Sequence, residues 1–409
     1  MSRLNIIGLG YIGLPTSLMF ASSGIEVTGT DLNEEIVNTL KKGEITFKEH
    51  GLRELFEKSL EKDIKFSTKY EKTNRYIITV PTPYIKDSKK IDPKYIISAV
   101  NSVLDVCEKG TILVIESTIS PGTIDKFVRP IISERGFVIG EDIHLVHAPE
   151  RIIPGKMIEE LQTNSRTIGA DSIEIGEEVK KWYAGFCNGE IVITDIKTAE
   201  MSKVVENAYR DINIAFANEL AKICRRADMD VYELIKIANK HPRVNILQPG
   251  PGVGGHCISV DPWFLVGDYP DLVKVILSAR KVNDSMPEYV IDRIRTIMNE
   301  NEISDISKVG LYGLTYKEDI DDIRESPSIQ LLGKLERFFC NGIKMYDPLI
   351  EKNIFKGQYS DFDKFLDDIE VVVIMVGHKH IKENKDKLKG KLIVDTKNIL
   401  DGMDEVYKI

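Results

Sequence analysis

The sequence predicts an α/β chain made of two doubly wound halves joined by one long helix. Three observations carry this reading. Short, continuously apolar β-rich runs alternate with helical patterns through residues 1–150, the same style returns in residues 301–409, and residues 196–229 contain neither Gly nor Pro. Strands lose their apolar–polar alternation when helices cover both faces of a parallel sheet. A chain of 409 residues has room for two or three domains. The expected divisions are 1–190, 191–300 and 301–409.

In the first half, LNIIGL, EVTGTD, YIITVP, TILVIEST and IHLVHAPE read as strands, at spacings that suit βαβ units. Residues 4–25 are uncharged and follow Arg3, as in a signal peptide. Gly8, Gly10, Gly13 and Pro15 interrupt them and a β-like run follows, so they read as a buried strand, a glycine turn and a buried helix. No other stretch is apolar long enough to span a bilayer.

Gly8, Gly10 and Gly13 form G-x-G-x-x-G between that strand and that helix, which is the context that gives the pattern meaning. Glycines allow a tight turn and let backbone N–H groups approach a pyrophosphate at a helix N-terminus. Asp31 closes the second strand, where a carboxylate binds a ribose and repels a 2′-phosphate. The half therefore reads as Rossmann-like, with NAD preferred to NADP. A packing turn with Asp31 as a surface cap is the plainer alternative, and the strand–turn–helix context weighs against it. Two later turns, around Thr82 and around Glu116 and Thr118, fall at the same carboxyl edge. There the threonines suit hydrogen bonds to the cofactor and Glu116 suits the placing of a water. Position alone leaves ordinary helix capping equally open.

In the gap between the halves, 196–229 as one helix is on the order of 50 Å long. Such a helix connects the halves and offers surface for dimerisation. Lys203, Asn207 and Arg210 recur at i, i+4 and i+7, hence on one face, amid Val204, Ala208 and Ile212. Two cations and an amide in a row suit a phosphorylated or carbonyl substrate, and Lys203 with Asn207 suits a developing oxyanion. A solvated face is the ordinary explanation of such a row.

In the last third, KVGLYGL, IKMYDP, VVVIMVG and KLIVDTK read as strands. SGIEVTGTD ends in Asp31 and NGIKMYDP runs to Asp347, so the second half echoes the first, although 310–313 lacks the full glycine fingerprint.

The cysteines are Cys107, Cys187, Cys224, Cys257 and Cys340. Five scattered cysteines without a C-x-x-C pair support neither a disulfide framework nor a metal site, and suit a reducing, cytoplasmic setting. A net charge of −9 argues against nucleic acid and anionic membrane as partners. Cys257 stands apart. Gly250, Gly252, Gly254 and Gly255 precede it, with His256 between, and Asp261 follows four residues later. A free cysteine is usually a small buried hydrophobe, but glycines here let backbone and substrate come close, and a nucleophilic thiolate needs access and nearby positive charge. With NAD, the chemistry becomes specific. An alcohol loses one hydride to give an aldehyde, which cannot lose a second until a nucleophile adds. A thiolate gives a thiohemiacetal, which becomes a thioester, and water releases the acid. The pair predicts a four-electron oxidation of a primary alcohol.

The blocks GLGYIGLPT, VPTP, ESTISPGT, APERIIPG, TAEMSKVVENAYRDINIAFANEL, HPRVNILQPGPGVGGHCISVDPWF and GLTYKEDIDDIRESPS, in this order, resemble the UDP-glucose/GDP-mannose dehydrogenase family over nearly the whole chain. GGHC with Val260 before Asp261 departs from the GGSC-and-lysine pattern of the UDP-glucose branch. It most resembles the branch acting on UDP-N-acetyl-D-mannosamine, leaving UDP-N-acetylglucosamine and UDP-glucose as alternatives and a non-catalytic NAD or nucleotide-sugar sensor as an alternative of another class. The resemblance implies Cys257 as nucleophile, Lys203 as acid/base and oxyanion stabiliser with Asn207, and Asp261 and Glu116 placing water. It implies Tyr11, Ile12, Asp31, Thr82, Thr118 and Arg324 against NAD. Arg151, Ile152, Arg210, His241, Gly254, Tyr316 and Lys317 are implied at the UDP-sugar, with Lys397 near the nucleotide. It further implies a homodimer in which Arg243 reaches the neighbouring active site.

Overall fold

In the computed structural model, residues 3–255, 257–335, 342–350, 352–400, 403 and 406–409 are described. His256 and Cys340 lie outside them. The chain divides into two compact units, Met1–Glu206 and Asn207–Ile409.

The first unit is built on eight strands: β1 (Leu4–Ile7), β2 (Val27–Thr30), β3 (Lys65–Ser67), β4 (Arg75–Ile78), β5 (Thr111–Ile115), β6 (Ile143–His147), β7 (Arg166–Ala170) and β8 (Ile191–Thr194). They lie in the order β3-β2-β1-β4-β5-β6-β7-β8. β1, β2, β5 and β7 are buried along their whole length, as strands covered on both faces must be. The strand order reverses between β1 and β4, so their carboxyl ends flank a crevice suited to a ligand. Residues 4–25 form β1, the glycine turn and α1 (Gly13–Ser22), which is buried from Gly13 to Ala21.

Two features depart from the sequence reading. β7 runs antiparallel to β6, so the sheet is not wholly parallel. And β3, β7 and β8 were not anticipated: β3 has only three residues, and β7 opens on a charged residue, Arg166.

The expected long helix is α2 (Ile196–Arg226), 31 residues. Asp195 starts it, accepting from the Thr198 N–H at 2.9 Å, and Arg225 and Arg226 favour its C-terminal dipole. It stops three residues before the expected end. Asp228 takes a left-handed φ of 54°, and the Met229 N–H folds back to the Cys224 carbonyl at 2.9 Å, closing the helix in a Schellman-type turn.

The second unit carries six strands, β9 (Val309–Tyr312), β10 (Lys344–Tyr346), β11 (Gln358–Tyr359), β12 (Val371–Ile374), β13 (Leu392–Asp395) and β14 (Val406–Lys408), in the order β11-β10-β9-β12-β13-β14 and all parallel. The helices used below are α3 (Asp261–Asp268) and α4 (Lys274–Glu300).

The echo between the halves extends to single hydrogen bonds. Gly8 after β1 and Gly313 after β9 both have φ of +92°. Asp31 after β2 accepts from the Leu9 N–H at 2.8 Å and the Asn33 N–H at 2.8 Å; Asp347 after β10 accepts from the Leu314 N–H at 2.6 Å and the Leu349 N–H at 2.8 Å. One device is used twice: a carboxylate ties the turn after the first strand to the end of the second. The carboxylate link itself does not need the full glycine pattern, because both turns keep a glycine at the position with positive φ.

Candidate active site

In the first unit the turn after β1 is shaped by steric exclusion. A methyl group on Gly13 would lie 1.8 Å from the Gly8 carbonyl oxygen and 2.3 Å from Thr79 Oγ1. Gly8 is closed in the same way by Thr79, whereas around Gly10, which is exposed, nothing lies within 4 Å. The turn is therefore pressed against the β4 end on one side and open on the other, a cradle into which a pyrophosphate fits against the start of α1. Tyr11 packs on Phe47 with ring centroids 4.5 Å apart, and Ile12 is half-buried beside it. Across the crevice, Thr82 Oγ1 donates to the Thr118 carbonyl at 2.6 Å, so the two later turns meet. Gly13→Ala is expected to weaken NAD binding roughly 10-fold or more, about 1.4 kcal/mol. Calorimetric titration checks it, and an affinity within twofold of the wild type contradicts it.

Glu116 takes a different place from the water-facing one expected. It is 1% exposed, and its Oε1 accepts from Arg166 at 2.8 Å. The other fork of Arg166 holds Glu150. Glu150 Oε1 in turn accepts from the Arg151 N–H at 2.6 Å and the Ile152 N–H at 3.2 Å. The guanidinium also stacks 4.2 Å from the Tyr183 ring centroid. Two carboxylates thus share one cation in a buried site. Burial pushes Glu116 up to about 8, against the pull of Arg166 and with the push of Glu150, so it holds a proton at neutral pH. Its Oε2 and the Tyr183 hydroxyl are buried. Arg151 is braced as well, donating to Glu206 Oε2 at 3.0 Å, the Ser165 carbonyl at 2.9 Å and Thr167 Oγ1 at 2.9 Å. Lys203 is buried one turn before Asn207 on α2.

In the second unit, Cys257 is exposed and none of the four described cysteines forms a disulfide. Its carbonyl accepts from the Val260 N–H at 3.0 Å and the Asp261 N–H at 2.8 Å, so the cysteine sits on a turn leading into α3. The glycines before it are required by contact. A Cβ on Gly254 would meet the Glu325 carbonyl at 2.6 Å, and one on Gly255 the Tyr316 ring at 2.7 Å. The Gly255 N–H donates to the Arg324 carbonyl at 3.1 Å. The loop is thereby pressed onto the segment following β9, which carries Tyr316, Lys317 and Arg324. Arg324 pairs with Asp322 at 2.6 Å.

The polar face of α2 anchors the other side. Asn207 Nδ2 donates to the buried Asp261 Oδ2 at 2.6 Å. Asn218 Oδ1 accepts from the Gly250 N–H at 2.9 Å, and Asn213 bonds the Asn245 carbonyl at 2.7 Å and the Leu247 N–H at 2.9 Å. Asp211, held by Arg280 at 2.6 Å and by Asn283 at 2.7 Å, completes the support. Asp211, Asn213 and Asn218 were not singled out from sequence, although a run of short polar residues without Gly or Pro on an apolar helix is a signal that something polar packs there. Arg210, His241 and Arg243 are exposed, and Lys397 Nζ lies 3.7 Å from where a Cβ on Gly250 would stand.

Three consecutive segments match domain models of one family: residues 2–187 its NAD binding domain, 197–285 its central domain and 310–402 its UDP binding domain. The chain belongs to the UDP-glucose/GDP-mannose dehydrogenase family. It is an NAD-binding oxidoreductase of that family, with a UDP binding domain in its last third. Among curated relatives, the UDP-N-acetyl-D-mannosamine dehydrogenase of Methanococcus vannielii is 43% identical over 98% of this chain and 94% of its own, and that of Campylobacter jejuni 41% identical over 93% and 97%. Among solved structures, the UDP-N-acetyl-mannosamine dehydrogenase of Staphylococcus aureus shares 44% identity and superposes with a TM-score of 0.89 over 100% of this chain and 97% of that one. Among the described residues, no helix is long and apolar enough to cross a membrane, and no group of three His, Cys, Asp or Glu is arranged to hold a metal ion.

Proposed function

We propose that this dehydrogenase oxidises the C6 alcohol of UDP-N-acetyl-D-mannosamine to the uronate. The observation that carries the substrate is the 43% identity, over 98% of the chain, to a relative named for it. A second reading rests on a relative named NDP-N-acetyl-D-galactosaminuronic acid dehydrogenase, 37% identical over 97% of the chain. UDP-N-acetylglucosamine and UDP-glucose are the further candidates.

NAD, bound at the first unit's glycine turn, supplies the hydride acceptor in each of two oxidations. The chain's residues do the rest. Tyr11, Ile12, Asp31, Thr82, Thr118 and Arg324 hold the cofactor; Arg151, Ile152, Arg210, His241, Gly254, Tyr316 and Lys317 hold the UDP-sugar. Lys203 takes the alcohol proton. Cys257 adds as thiolate to the aldehyde carbon, with Lys203 and Asn207 stabilising the oxyanion. Loss of the second hydride leaves a thioester, and water placed by Asp261 attacks it, expelling Cys257 as thiolate. Alcohol, water and two NAD+ yield carboxylate, two NADH and three protons. Exposure of Cys257 on a turn stiffened by Tyr316 and α2 supports the nucleophile role, since a thiol needs access. The exposed Arg243 reaches the active site of a second copy in a homodimer, and the enzyme is cytoplasmic. The residue divisions are 1–190 for NAD, 191–300 for dimerisation and the cysteine loop, and 301–409 for the UDP-sugar.

The test is a panel of nucleotide sugars under one set of conditions, with NADH counted per sugar consumed. Two NADH and preference for UDP-N-acetyl-D-mannosamine are expected. Equal turnover of all sugars refutes the substrate, and one NADH with accumulating aldehyde refutes the thioester route.

A further inference from the structure

His378 lies four residues past the end of β12, the place that Thr82 takes past β4 in the first unit. It is fully buried and precedes a short helix, Lys379–Glu383. Its ring reaches the segment that follows β9. Nδ1 accepts from the Asp319 N–H at 2.9 Å, and Nε2 lies 3.2 Å from Thr315 Oγ1 and 3.4 Å from Asp347 Oδ2. A backbone N–H can only donate, so Nδ1 is the acceptor and the ring hydrogen is assigned to Nε2. Thr315 spends its own hydrogen on the Lys317 carbonyl at 2.9 Å, so its oxygen accepts from that Nε2–H. A directed chain therefore runs from His378 through the Thr315 hydroxyl to the Lys317 carbonyl.

These bonds converge on one short turn. Asp347 Oδ2, beside His378, also accepts from the Leu314 and Thr315 N–H groups, at 2.6 and 3.2 Å. Asp319 takes a left-handed φ of 59°, which a residue other than glycine keeps only when its surroundings hold it there. Here the hold is double: its N–H goes to His378, and its Oδ1 accepts from the Lys379 N–H at 2.9 Å. Between these two fixed points, Thr315 and Asp319, stand Tyr316 and Lys317. The Tyr316 ring closes on Gly255, and its Cβ lies 2.8 Å from where a Cβ on Gly254 would stand. A side chain that only filled space could be exchanged for an apolar one of similar size. Exchanging this one leaves the Asp319 N–H without its acceptor and the Thr315 oxygen without its donor.

We propose that His378 is a positioning residue of the UDP-sugar site: by fixing both ends of the 315–319 turn, it holds Tyr316 against the cysteine loop and Lys317 ready for the nucleotide. This rests on the reading above, in which Tyr316 and Lys317 hold the UDP-sugar, and adds a buried residue that acts through the turn and not by contact with the ligand. A turn fixed in advance spares the ordering cost that binding would otherwise carry, so its loosening is read as lost affinity. NAD binds at the glycine turn of the first unit, and its affinity serves as the internal control.

Calorimetric titrations of the full chain with UDP, and separately with NAD, test it. The wild type is expected to bind both. His378→Leu is expected to weaken UDP roughly 10-fold or more while NAD stays within about twofold, a split that a loss of stability alone does not produce. His378→Gln places an amide donor where Nε2 stands, and is expected to bind UDP at least about threefold more tightly than His378→Leu. Thr315→Val breaks the same chain at its other end with the histidine intact. It is expected to weaken UDP by about threefold or more, and decides the matter should His378→Leu fail to fold. UDP affinities within about twofold of the wild type in His378→Leu and Thr315→Val overturn the proposal, even where the melting temperatures fall. Equal weakening of UDP and NAD also overturns it, since the effect is then on the fold at large. A wild-type chain that takes no UDP overturns the reading of Tyr316 and Lys317, and the proposal with it; that failure is visible before any substitution is made.

Discussion

Cys257→Ala is expected to abolish uronate formation, lowering kcat for acid by on the order of 10^4-fold or more, as removal of a covalent nucleophile does. The thiol is exposed and its turn is set by backbone bonds from Val260 and Asp261 to its own carbonyl, none of which involves the sulfur. The variant therefore keeps the fold and the melting temperature, and its defect is chemical. Single-turnover quantification of uronate, with the sugar aldehyde offered directly as substrate, checks this. Acid formed at more than a few per cent of the wild-type rate excludes a thioester on Cys257.

Arg166→Met is expected to lower the melting temperature on the order of 10 °C. Glu116 and Glu150 are buried against this one guanidinium, and removing the shared partner of a buried pair costs about 3–5 kcal/mol. A unit of this size loses roughly 2–4 °C per kcal/mol. The pH dependence follows from Glu116. Its carboxyl, ordinarily at 4.5, is raised to about 8 in the folded protein, so between those values the folded chain holds a proton that the unfolded chain has released. Stability from this group is complete below 4.5 and declines as pH rises toward 8. Arg166 is the charge that restrains the rise, so in Arg166→Met the decline extends to higher pH. Circular-dichroism melts of both proteins from pH 6 to 9 measure this. A variant that melts within 2 °C of the wild type, with an unchanged pH profile, shows that the triad is no structural pivot.

Why Arg166 escaped the sequence reading is instructive. Nothing within ten residues of it pairs with it: Glu116 is 50 positions away and Glu150 is 16. It also opens a strand that runs antiparallel to its neighbour, in a sheet whose other pairings are parallel. Local pattern offers only a charged residue before TIGA. The long helix α2 shows the same limit. That α2 is a helix follows from its composition, but its stopping point rests on Asp228 adopting a left-handed φ, which the sequence reading did not anticipate.

What the chain's order of residues determined alone was local. It set the alternation of apolar strands and helices, the glycine turn after β1, the carboxylate at the end of β2, the 31-residue helix and the glycine-framed cysteine. Each depends on steric or periodic preferences acting within a few residues. What only the tertiary structure decided was which distant groups share a buried place. It sank Glu116 beside Arg166 and tied Asp261 to Asn207 and Gly250 to Asn218. Burial changes the energy of a charge more than any neighbour in sequence does, and burial is a property of the folded chain.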